Sequence, residues 1–258
     1  MKTFDFGNTM AVAAHRGDSY NYYENTMEAF RAAVEAGVQM VETDIRLTAD
    51  RQLVLMHDDY LGRTTDTRGP VRERTLEQLL QVNAGSEKHP LPIPTLEEFL
   101  AWAAPLDILL NLELKEYNLP GNEGNWEFCA DETVRLVEKY GLADRIVFNS
   151  FDASVLDHID RKYAHRYRLH GFYPYTGMKN VERNPDEYLY CACVWGNSCK
   201  KEFYDHLLSV GIEPWVGASV TSTGKLALAF EYGARLVTTN FPADTILRLK
   251  GLGICNED

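Results

Sequence analysis

Apolar and polar positions follow a repeating order along the chain: a short apolar run, a polar turn, and then an amphipathic stretch of ten or more residues. The short runs predict buried strands, and stretches with apolar residues three and four positions apart predict helices. Strands are predicted at residues 10–14, 41–47, 53–56, 108–114, 146–149, 167–169, 189–194, 213–216 and 236–238. Helices are predicted at residues 26–36, 75–80, 95–104, 132–139, 154–162, 202–210, 225–232 and 243–249. About eight strand-then-helix units favour an α/β fold, the (β/α)8 TIM barrel, over an open doubly wound sheet.

The first predicted helix carries both a start signal and a stop signal. Asn25 precedes it as the predicted N-cap, with Glu28 placed to reach back to it, and Gly37 follows its last turn. Such residues satisfy the backbone groups that a helix leaves unpaired at its two ends.

The stretch from residue 58 to residue 94 breaks the alternation of strands and helices. It is rich in turn-forming residues and contains one short predicted helix. Functional loops lie on the surface of a scaffold, so we predict a small insertion after the third strand that caps the C-terminal face of the barrel. Residues 1–258 then form a single barrel domain.

Length and composition fit a soluble globular protein. The chain has 258 residues, 45% of them hydrophobic and 25% charged, and a barrel of this kind uses roughly 250 residues. A formal net charge of −12 disfavours nucleic acid and anionic membrane surfaces as partners. Apolar runs are far shorter than the roughly 20 residues of a membrane helix, and the N-terminus lacks a signal-peptide pattern. We therefore expect a cytoplasmic protein without stable membrane insertion. Five cysteines without a CxxC pair indicate reduced thiols rather than a zinc site.

Polar side chains interrupt strands that should otherwise be apolar. Glu42 and Asp44 share one face of their strand, and Glu113 and Lys115 share one face of another, because alternate residues of a strand point the same way. His15 and His57 directly follow two further predicted strands. These side chains should therefore meet at the C-terminal ends of the strands, where barrel enzymes build their active sites.

Three carboxylates in a confined space repel one another unless a cation is present. An all-oxygen set favours Mg²⁺ or Ca²⁺ and also admits Mn²⁺, and such an ion neutralises charge that develops on a phosphoryl group. His15 and His57 could supply a general base and a general acid, and the guanidinium of Arg16 could hold phosphate oxygens. The residues together predict a metal-assisted phosphodiester cleavage site.

Taken one at a time, these residues also have structural explanations. Glu113 could form a buried ion pair with Lys115, each histidine could be a strand-end residue with satisfied hydrogen bonds, and the pair Glu42 and Asp44 could lie on a solvated face. The structural explanations weaken together, because all six residues fall at the ends of four consecutive predicted strands.

The same residues lie within a longer series of motifs that resembles the glycerophosphodiester phosphodiesterase family, within the phospholipase C-like phosphodiesterases. The matching segments are His15-Arg16-Gly17, Glu24-Asn25-Thr26, Glu42-x-Asp44, Thr48-x-Asp50, Val54-Leu55-Met56-His57-Asp58, Arg63-Thr64-Thr65, Gly69-Pro70-Val71, Pro94-Thr95-Leu96-Glu97-Glu98 and Leu112-Glu113-Leu114-Lys115. Their order and spacing follow the family over residues 11 to 115, and a weaker likeness continues to about residue 247.

The resemblance implies a TIM-barrel hydrolase of lipid and glycerol metabolism that converts glycerophosphodiesters to sn-glycerol 3-phosphate and an alcohol. By motif position, a divalent ion would bind Glu42, Asp44 and Glu113, and His15 and His57 would be the acid–base pair. Arg16 and Lys115 would hold the phosphate and stabilise the anionic site. In such enzymes a substrate hydroxyl is thought to attack phosphorus first, giving a cyclic phosphate that water then opens.

Departures from the family pattern cluster late in the chain. Trp215-Val216-Gly217-Ala218 and Thr239-Asn240-Phe241-Pro242 differ from the usual motifs, which leaves the alcohol leaving group open. Trp215, at the end of a late strand, is the predicted floor of the glycerol or alcohol site, and Tyr173 is predicted at the pocket mouth.

Two other classes of function remain open from the sequence. The same chemistry could act on lysophospholipids or sugar-linked glycerophosphates, or the barrel could bind a phosphate ligand without turnover. A homodimer is expected only from the frequency of dimers among soluble enzymes.

Overall fold

The computed structural model describes residues 2–196 and 199–255 of the chain. Its strands are β1 Ala11–His15, β2 Met40–Leu47, β3 Leu53–Leu55, β4 Tyr60–Leu61, β5 Gly69–Pro70, β6 Leu109–Leu114, β7 Ile146–Asn149, β8 Arg168–Tyr173, β9 Cys191–Val194, β10 Glu213–Val216 and β11 Leu236–Thr239. Its α-helices are α1 Met27–Glu35, α2 Leu76–Leu79, α3 Leu96–Ala103, α4 Asn125–Lys139, α5 Ala153–Lys162, α6 Lys201–Ser209, α7 Thr223–Glu231 and α8 Pro242–Gly251.

Eight of the strands in the described part of the chain form a closed parallel barrel. The hydrogen-bonded order is β1, β2, β6, β7, β8, β9, β10 and β11, and β11 pairs with β1 to close the ring. Helices lie between successive strands along most of the chain, as the alternating pattern predicts. The predicted (β/α)8 barrel is confirmed.

The third predicted strand lies outside the barrel. β3 pairs antiparallel with the end of β2, so the two form a hairpin, and β6 is the third strand of the ring. Residues 58–94 follow this hairpin and contain the small β4–β5 sheet, the short helix α2 and an apolar cluster of their own. The insertion therefore enters the chain between the second and third barrel strands. That residues 1–258 form one domain stays a prediction.

The first helix begins at Met27, one residue later than predicted. The Oγ1 atom of Thr26 accepts a hydrogen bond of 3.3 Å from the backbone N–H of Ala29, which makes Thr26 the N-cap. Asn25 instead has a positive φ of 56° and sends its side chain towards β2, where it donates to Asp44 Oδ2 at 2.9 Å. Asn25, predicted as a helix cap, therefore hydrogen-bonds the carboxylate of Asp44 on β2 instead.

The interior of the barrel changes from apolar to polar along the strands. A buried apolar cluster fills the N-terminal part, and it consists of Phe4, Phe6, Ala11, Ala13, Met40, Leu109, Val147, Cys191, Trp215 and Leu236. Polar residues occupy the inward positions that follow, among them His15 after Ala13, Glu42 after Met40 and Asn111 after Leu109. Inward positions recur every second residue, so the polar end of the barrel stands directly above its apolar base.

No helix in the described ranges is both long enough and apolar enough to span a membrane.

Candidate active site

A cavity of about 330 Å³ opens at the C-terminal end of the barrel. One half of its lining is charged or ionisable and comes from the first strands: His15, Arg16, Glu42, His57, Glu113 and Lys115. The other half is mostly apolar and comes from later strands and loops, with Phe151, Phe172, Cys193, Trp195, Gly217 and Ala218. The ionisable residues that the sequence places at strand ends therefore meet at a single cavity, except Asp44, which is fully buried and is not part of the lining.

Glu42, Asp44 and Glu113 form a compact cluster of buried carboxylates. Asp44 and Glu113 are register partners on β2 and β6, Glu42 lies two residues earlier on the same face, and one oxygen from each lies within 4.8 Å of the others. Burial, with Asp44 and Glu113 alongside, raises the pKa of Glu42 well above its ordinary value. Its Oε1 atom is buried and has no hydrogen-bond partner in the part of the chain that is described.

This donor set fits a hard divalent cation. The carboxylates are crowded, supply only oxygen atoms, and leave one buried oxygen of Glu42 unpaired in the described part of the chain. A cation of this class would reduce the repulsion and give that oxygen a partner. Glu42, Asp44 and Glu113 are therefore the residues that could hold a metal ion.

Two cations offset part of the carboxylate charge. Lys115 Nζ hydrogen-bonds Glu113 Oε1 and lies 3.2 Å from Asp44 Oδ1, while Arg16 Nε lies 3.1 Å from Asp44 Oδ2. Although burial acts in the opposite direction, Lys115 and Arg16 hold the pKa of Asp44 below its usual range. The backbone N–H of Arg16 also donates to Glu42 Oε2 at 2.9 Å. Both cations thus lie directly beside the carboxylate cluster.

His15 is held by an amide. Its Nδ1 atom lies 2.6 Å from Asn240 Oδ1, and because an amide oxygen can only accept, Nδ1 carries the proton and Nε2 is the acceptor. Burial, followed by the nearby charge of Arg16, lowers the pKa of His15 to about 4. The ring is therefore neutral at neutral pH and has one nitrogen free to take a proton.

His57 is held by a carboxylate. Its Nδ1 atom lies 2.6 Å from Asp58 Oδ1, and Arg63 Nε donates to Asp58 Oδ2 at 2.6 Å. Although partial burial opposes it, hydrogen bonds from Arg63 and His57 lower the pKa of Asp58 to about 2. An ionised Asp58 orients the His57 ring and can balance a positive charge on it.

Arg63 connects the insertion to the loop between β1 and α1. Besides Asp58, it donates to both oxygens of Glu24, at 2.9 Å and 2.6 Å, and Glu24 accepts from Arg16 Nη1 at 3.0 Å. A continuous chain of charged groups thus runs from His57 through Asp58, Arg63 and Glu24 to Arg16. The sequence indicated Arg63 only as part of a motif, and its bridging position depends on how the insertion folds.

The structure places Trp215 and Tyr173 away from the cavity lining. Trp215 is fully buried in the apolar base of the barrel, one layer below the cavity, and its Nε1 donates to Glu213 at 2.6 Å. Tyr173 stacks on His206 with ring centroids 4.9 Å apart, because it follows the inward-facing Phe172 and so points out of the barrel. Neither prediction as a substrate-contacting residue is supported by these positions.

Aromatic residues that sequence reasoning missed line the apolar half. The Phe151 and Phe172 rings stack with centroids 3.5 Å apart, and Trp195 meets Phe151 edge-on at 4.9 Å while remaining 53% exposed. Phe172 was accessible to sequence reasoning, since it shares the inward face of β8 with His170. Phe151 and Trp195 lie in loops, where no periodicity sets the direction of a side chain.

Comparison with known proteins agrees with this geometry. A sequence model of the glycerophosphoryl diester phosphodiesterase family matches residues 15–201. The chain is 35% identical over 160 residues to a glycerophosphodiester phosphodiesterase of Caldanaerobacter subterraneus, covering 60% of this chain and 63% of that protein. The match spans about three fifths of the length of that relative and of two further curated relatives.

Solved structures show the same fold at low sequence identity. A Silicibacter pomeroyi structure has a TM-score of 0.83 at 20% identity, covering 96% of this chain and 95% of that one. An Oleispira antarctica phosphodiesterase, in complex with the product sn-glycerol-3-phosphate, has a TM-score of 0.76 at 24% identity, covering 94% and 97%. At these identities the likeness concerns the barrel alone. With a family match over most of its length, the chain belongs to the glycerophosphoryl diester phosphodiesterase family.

Proposed function

We propose that this protein is a metal-dependent hydrolase that splits glycerophosphodiesters into sn-glycerol 3-phosphate and an alcohol. The observation that carries the proposal is one cavity lined by two members of a buried three-carboxylate cluster and by two histidines that are held by different partners. A site that only binds phosphate has no need of a matched acid–base pair. The name of the Caldanaerobacter relative and the product bound to the Oleispira phosphodiesterase point the same way.

Glu42, Asp44 and Glu113 would hold the divalent ion. Their oxygen atoms favour Mg²⁺ or Ca²⁺, and Mn²⁺ is also compatible with them. When bound, the ion would polarise a phosphoryl oxygen and neutralise charge that develops there. Arg16 and Lys115 line the same cavity, so we assign them the remaining phosphate oxygens in addition to their ion pairs with the carboxylates.

The two histidines would divide the proton transfers. His15, neutral and with Nε2 as acceptor, would take the proton from the attacking hydroxyl while a new oxygen–phosphorus bond forms. His57, supported by Asp58, would give a proton to the oxygen of the departing alcohol as its bond to phosphorus breaks. If a substrate hydroxyl attacks first, a cyclic phosphate results. His57 then takes a proton from water, and His15 returns its proton to the ring oxygen as the ring opens.

The test is hydrolysis by purified, chelator-treated protein. We expect release of sn-glycerol 3-phosphate from glycerophosphocholine or glycerophosphoethanolamine once Mg²⁺, Ca²⁺ or Mn²⁺ is restored. Replacing His15 or His57 by Ala should lower kcat by about 100- to 10,000-fold, the usual contribution of a positioned acid or base. His89→Ala is the matched control, since His89 is exposed and pairs with Glu28 outside the cavity. Unchanged rates in His15→Ala and His57→Ala would show that the acid–base assignment is wrong.

One observation favours a lysophospholipid as a second substrate class. Large apolar side chains are exposed on loops at the C-terminal ends of the strands, namely Tyr20, Tyr22, Tyr23, Leu119 and Trp195. Such side chains would offer apolar contacts to an acyl chain, because burying apolar surface is favourable. Lysophosphatidylcholine in the same assay decides this: faster release of choline than from glycerophosphocholine would favour the lipid substrate.

A further inference from the structure

His57 lies outside the ring of barrel strands, because it follows β3, which pairs antiparallel with the end of β2. Its place at the cavity therefore depends on contacts that join this segment to the barrel. In one of them the backbone N–H of Met56 donates to the carbonyl oxygen of Asp44 at 3.0 Å. A second comes from the side chain of Arg46, which lies two residues after Asp44 on β2.

The guanidinium of Arg46 holds the backbone of His57 with two hydrogen bonds. Nε donates to the His57 carbonyl oxygen at 3.1 Å, and Nη2 donates to the same oxygen at 2.8 Å. Nη1 donates at 3.0 Å to the carbonyl oxygen of Lys115, directly after β6. A guanidinium is planar and presents its donors in a rigid fork. The three hydrogen bonds therefore fix the His57 carbonyl relative to the second and third strands of the ring.

Arg46 acts on the backbone of His57 and does not meet the substrate itself. It lines a neighbouring cavity rather than the proposed substrate cavity, and Glu116 Oε1, 3.9 Å from its Nη1, offsets its charge. Asp58 contacts the ring of His57 at Nδ1, whereas Arg46 contacts the carbonyl. Asp58 thus orients the ring, and Arg46 sets the position of the backbone that carries it.

We propose that Arg46 is a positioning residue that keeps the His57 ring within reach of the leaving oxygen. The inference rests on the proposed function, because Arg46 acts through the proton that His57 would donate. That proton moves from Nε2 to the ester oxygen while the bond from this oxygen to phosphorus breaks and its electron pair stays on oxygen. A misplacement of about 1 Å can cost roughly 100-fold in rate. Loss of Arg46 should therefore impair reactions that need this proton and spare those that do not.

The test compares two diesters of sn-glycerol 3-phosphate that differ in their leaving group. Choline leaves readily only when its oxygen is protonated, whereas p-nitrophenol leaves as a stable anion without an acid. With the divalent ion that gives the highest activity, kcat/KM reports the steps up to departure of the alcohol. Arg46→Met, which removes the donors, should lower kcat/KM about 10- to 100-fold for the choline ester and less than about threefold for the p-nitrophenyl ester. Arg46→Lys, which keeps a charged donor, should recover part of the loss.

Arg145→Met is the matched control. Arg145 is also buried and also donates to two backbone carbonyls, those of Leu106 and Ala104. It lies directly before β7, at the opposite end of the barrel from His57. Arg145→Met should therefore leave the ratio between the two esters unchanged. Thermal unfolding of both variants shows how much stability each has lost, and a loss of stability alone would lower both rates together.

His57→Ala in the same assay separates the inference from the proposed function. A selective loss with the choline ester in His57→Ala, together with an unchanged ratio in Arg46→Met, would overturn the inference alone. Equal losses for both esters in His57→Ala would overturn the assignment of His57 as the acid, and the inference with it. A wild type that hydrolyses neither ester would overturn the proposed reaction and the inference together. If Arg46→Met does not fold, the ratio in Arg46→Lys decides the inference by the same criterion.

Discussion

Two histidines of the same cavity differ in the single residue that holds each ring. Asn240 is uncharged and fixes the tautomer of His15, whereas Asp58 is ionised and can balance a positive His57 ring. The difference matters because a general base must start neutral and a general acid must start protonated. The assignment of roles in this cavity therefore depends on two neighbouring side chains that are not themselves expected to exchange protons with substrate.

Substitutions of Asn240 should separate the orientation of His15 from its basicity. Asn240→Ala removes the acceptor for Nδ1, and kcat should fall about 100-fold because the ring loses its fixed orientation. Asn240→Asp keeps an acceptor and adds a negative charge, which raises the pKa of His15. A base works only when unprotonated, so the acidic limb of the kcat/KM profile should move to higher pH by about one to two units. Identical pH profiles in wild type and Asn240→Asp would contradict the role of His15 as base.

The ionisable residues of the cavity could be predicted from sequence, but their partners could not. Glu42, Asp44, Glu113 and Lys115 sit on or directly after strands, where a period of two sets the direction of every side chain. Asn240, Asn25 and Arg63 reach the site from loops distant in sequence, and only the folded chain brings them there. The same period of two explains where the structure places Tyr173 and Trp215. Tyr173 occupies an outward-facing position of its strand. Trp215 occupies an inward-facing position, but it lies one layer below the cavity.

At the scale of elements, the loop between β1 and α1 depends on a glycine. Gly17 has a φ of +80°, and a Cβ built on it would lie 2.6 Å from the carbonyl carbon of Ala29. Backbone packing therefore leaves no space for a side chain between this loop and the start of α1. Because Arg16 directly precedes Gly17, the close approach also fixes the position of a cavity residue.

Gly17→Ala should destabilise the protein more than an alanine at a similar but open glycine. Gly141 also has a positive φ, +66°, but a Cβ added there would meet nothing within 4 Å. Gly141→Ala should cost about 1 to 2 kcal/mol from the left-handed backbone alone. Gly17→Ala adds the clash with Ala29 and should cost about 3 kcal/mol or more, with a Tm lower by roughly 6 to 12 °C. Equal losses in thermal unfolding would mean that the loop yields to the side chain.

The helices and strands were largely predictable from sequence, and the strand that was wrongly placed in the barrel, at 53–56, can be recognised by its short connection. The alternating pattern gave the eight barrel strands because buried parallel strands are short and apolar. The run at 53–56 looks the same, yet only five residues, 48 to 52, connect it to β2. A parallel crossover needs a dozen or more residues, so this connection permits only an antiparallel hairpin.

For the molecule as a whole, the carboxylate cluster should make stability depend on metal ions. Three buried carboxylates, with two adjacent cations in the described part of the chain, repel one another. An ion that binds only the folded state stabilises it by mass action. At about 100 times its dissociation constant, the ion should add about 2.7 kcal/mol.

We expect the Glu42→Gln variant to be more stable than the wild type without metal and less stable than the wild type with metal. In chelator the variant should have a higher Tm than the wild type, because burial and the neighbouring carboxylates raise the pKa of Glu42 and so disfavour its ionised form. The amide oxygen of Gln can still accept the hydrogen bond from the backbone N–H of Arg16. With Ca²⁺ or Mg²⁺ the wild type should gain about 5 to 10 °C in Tm and the variant much less. Differential scanning calorimetry checks both arms, and a wild type that does not respond to either ion would rule out this metal site.

The two halves of the cavity come from two consecutive parts of the chain. Every carboxylate, lysine and arginine among the cavity-lining residues of the described chain falls between residues 15 and 115, whereas the aromatic wall falls between residues 151 and 195. Recombination at a single point, within the helix α4 that separates them, would exchange the aromatic wall and keep every charged residue of the lining, provided that the incoming segment again supplies an acceptor such as Asn240 for His15. New leaving groups could thus be acquired by drift or by chimaera construction in the later half, while the proposed reaction chemistry was inherited unchanged.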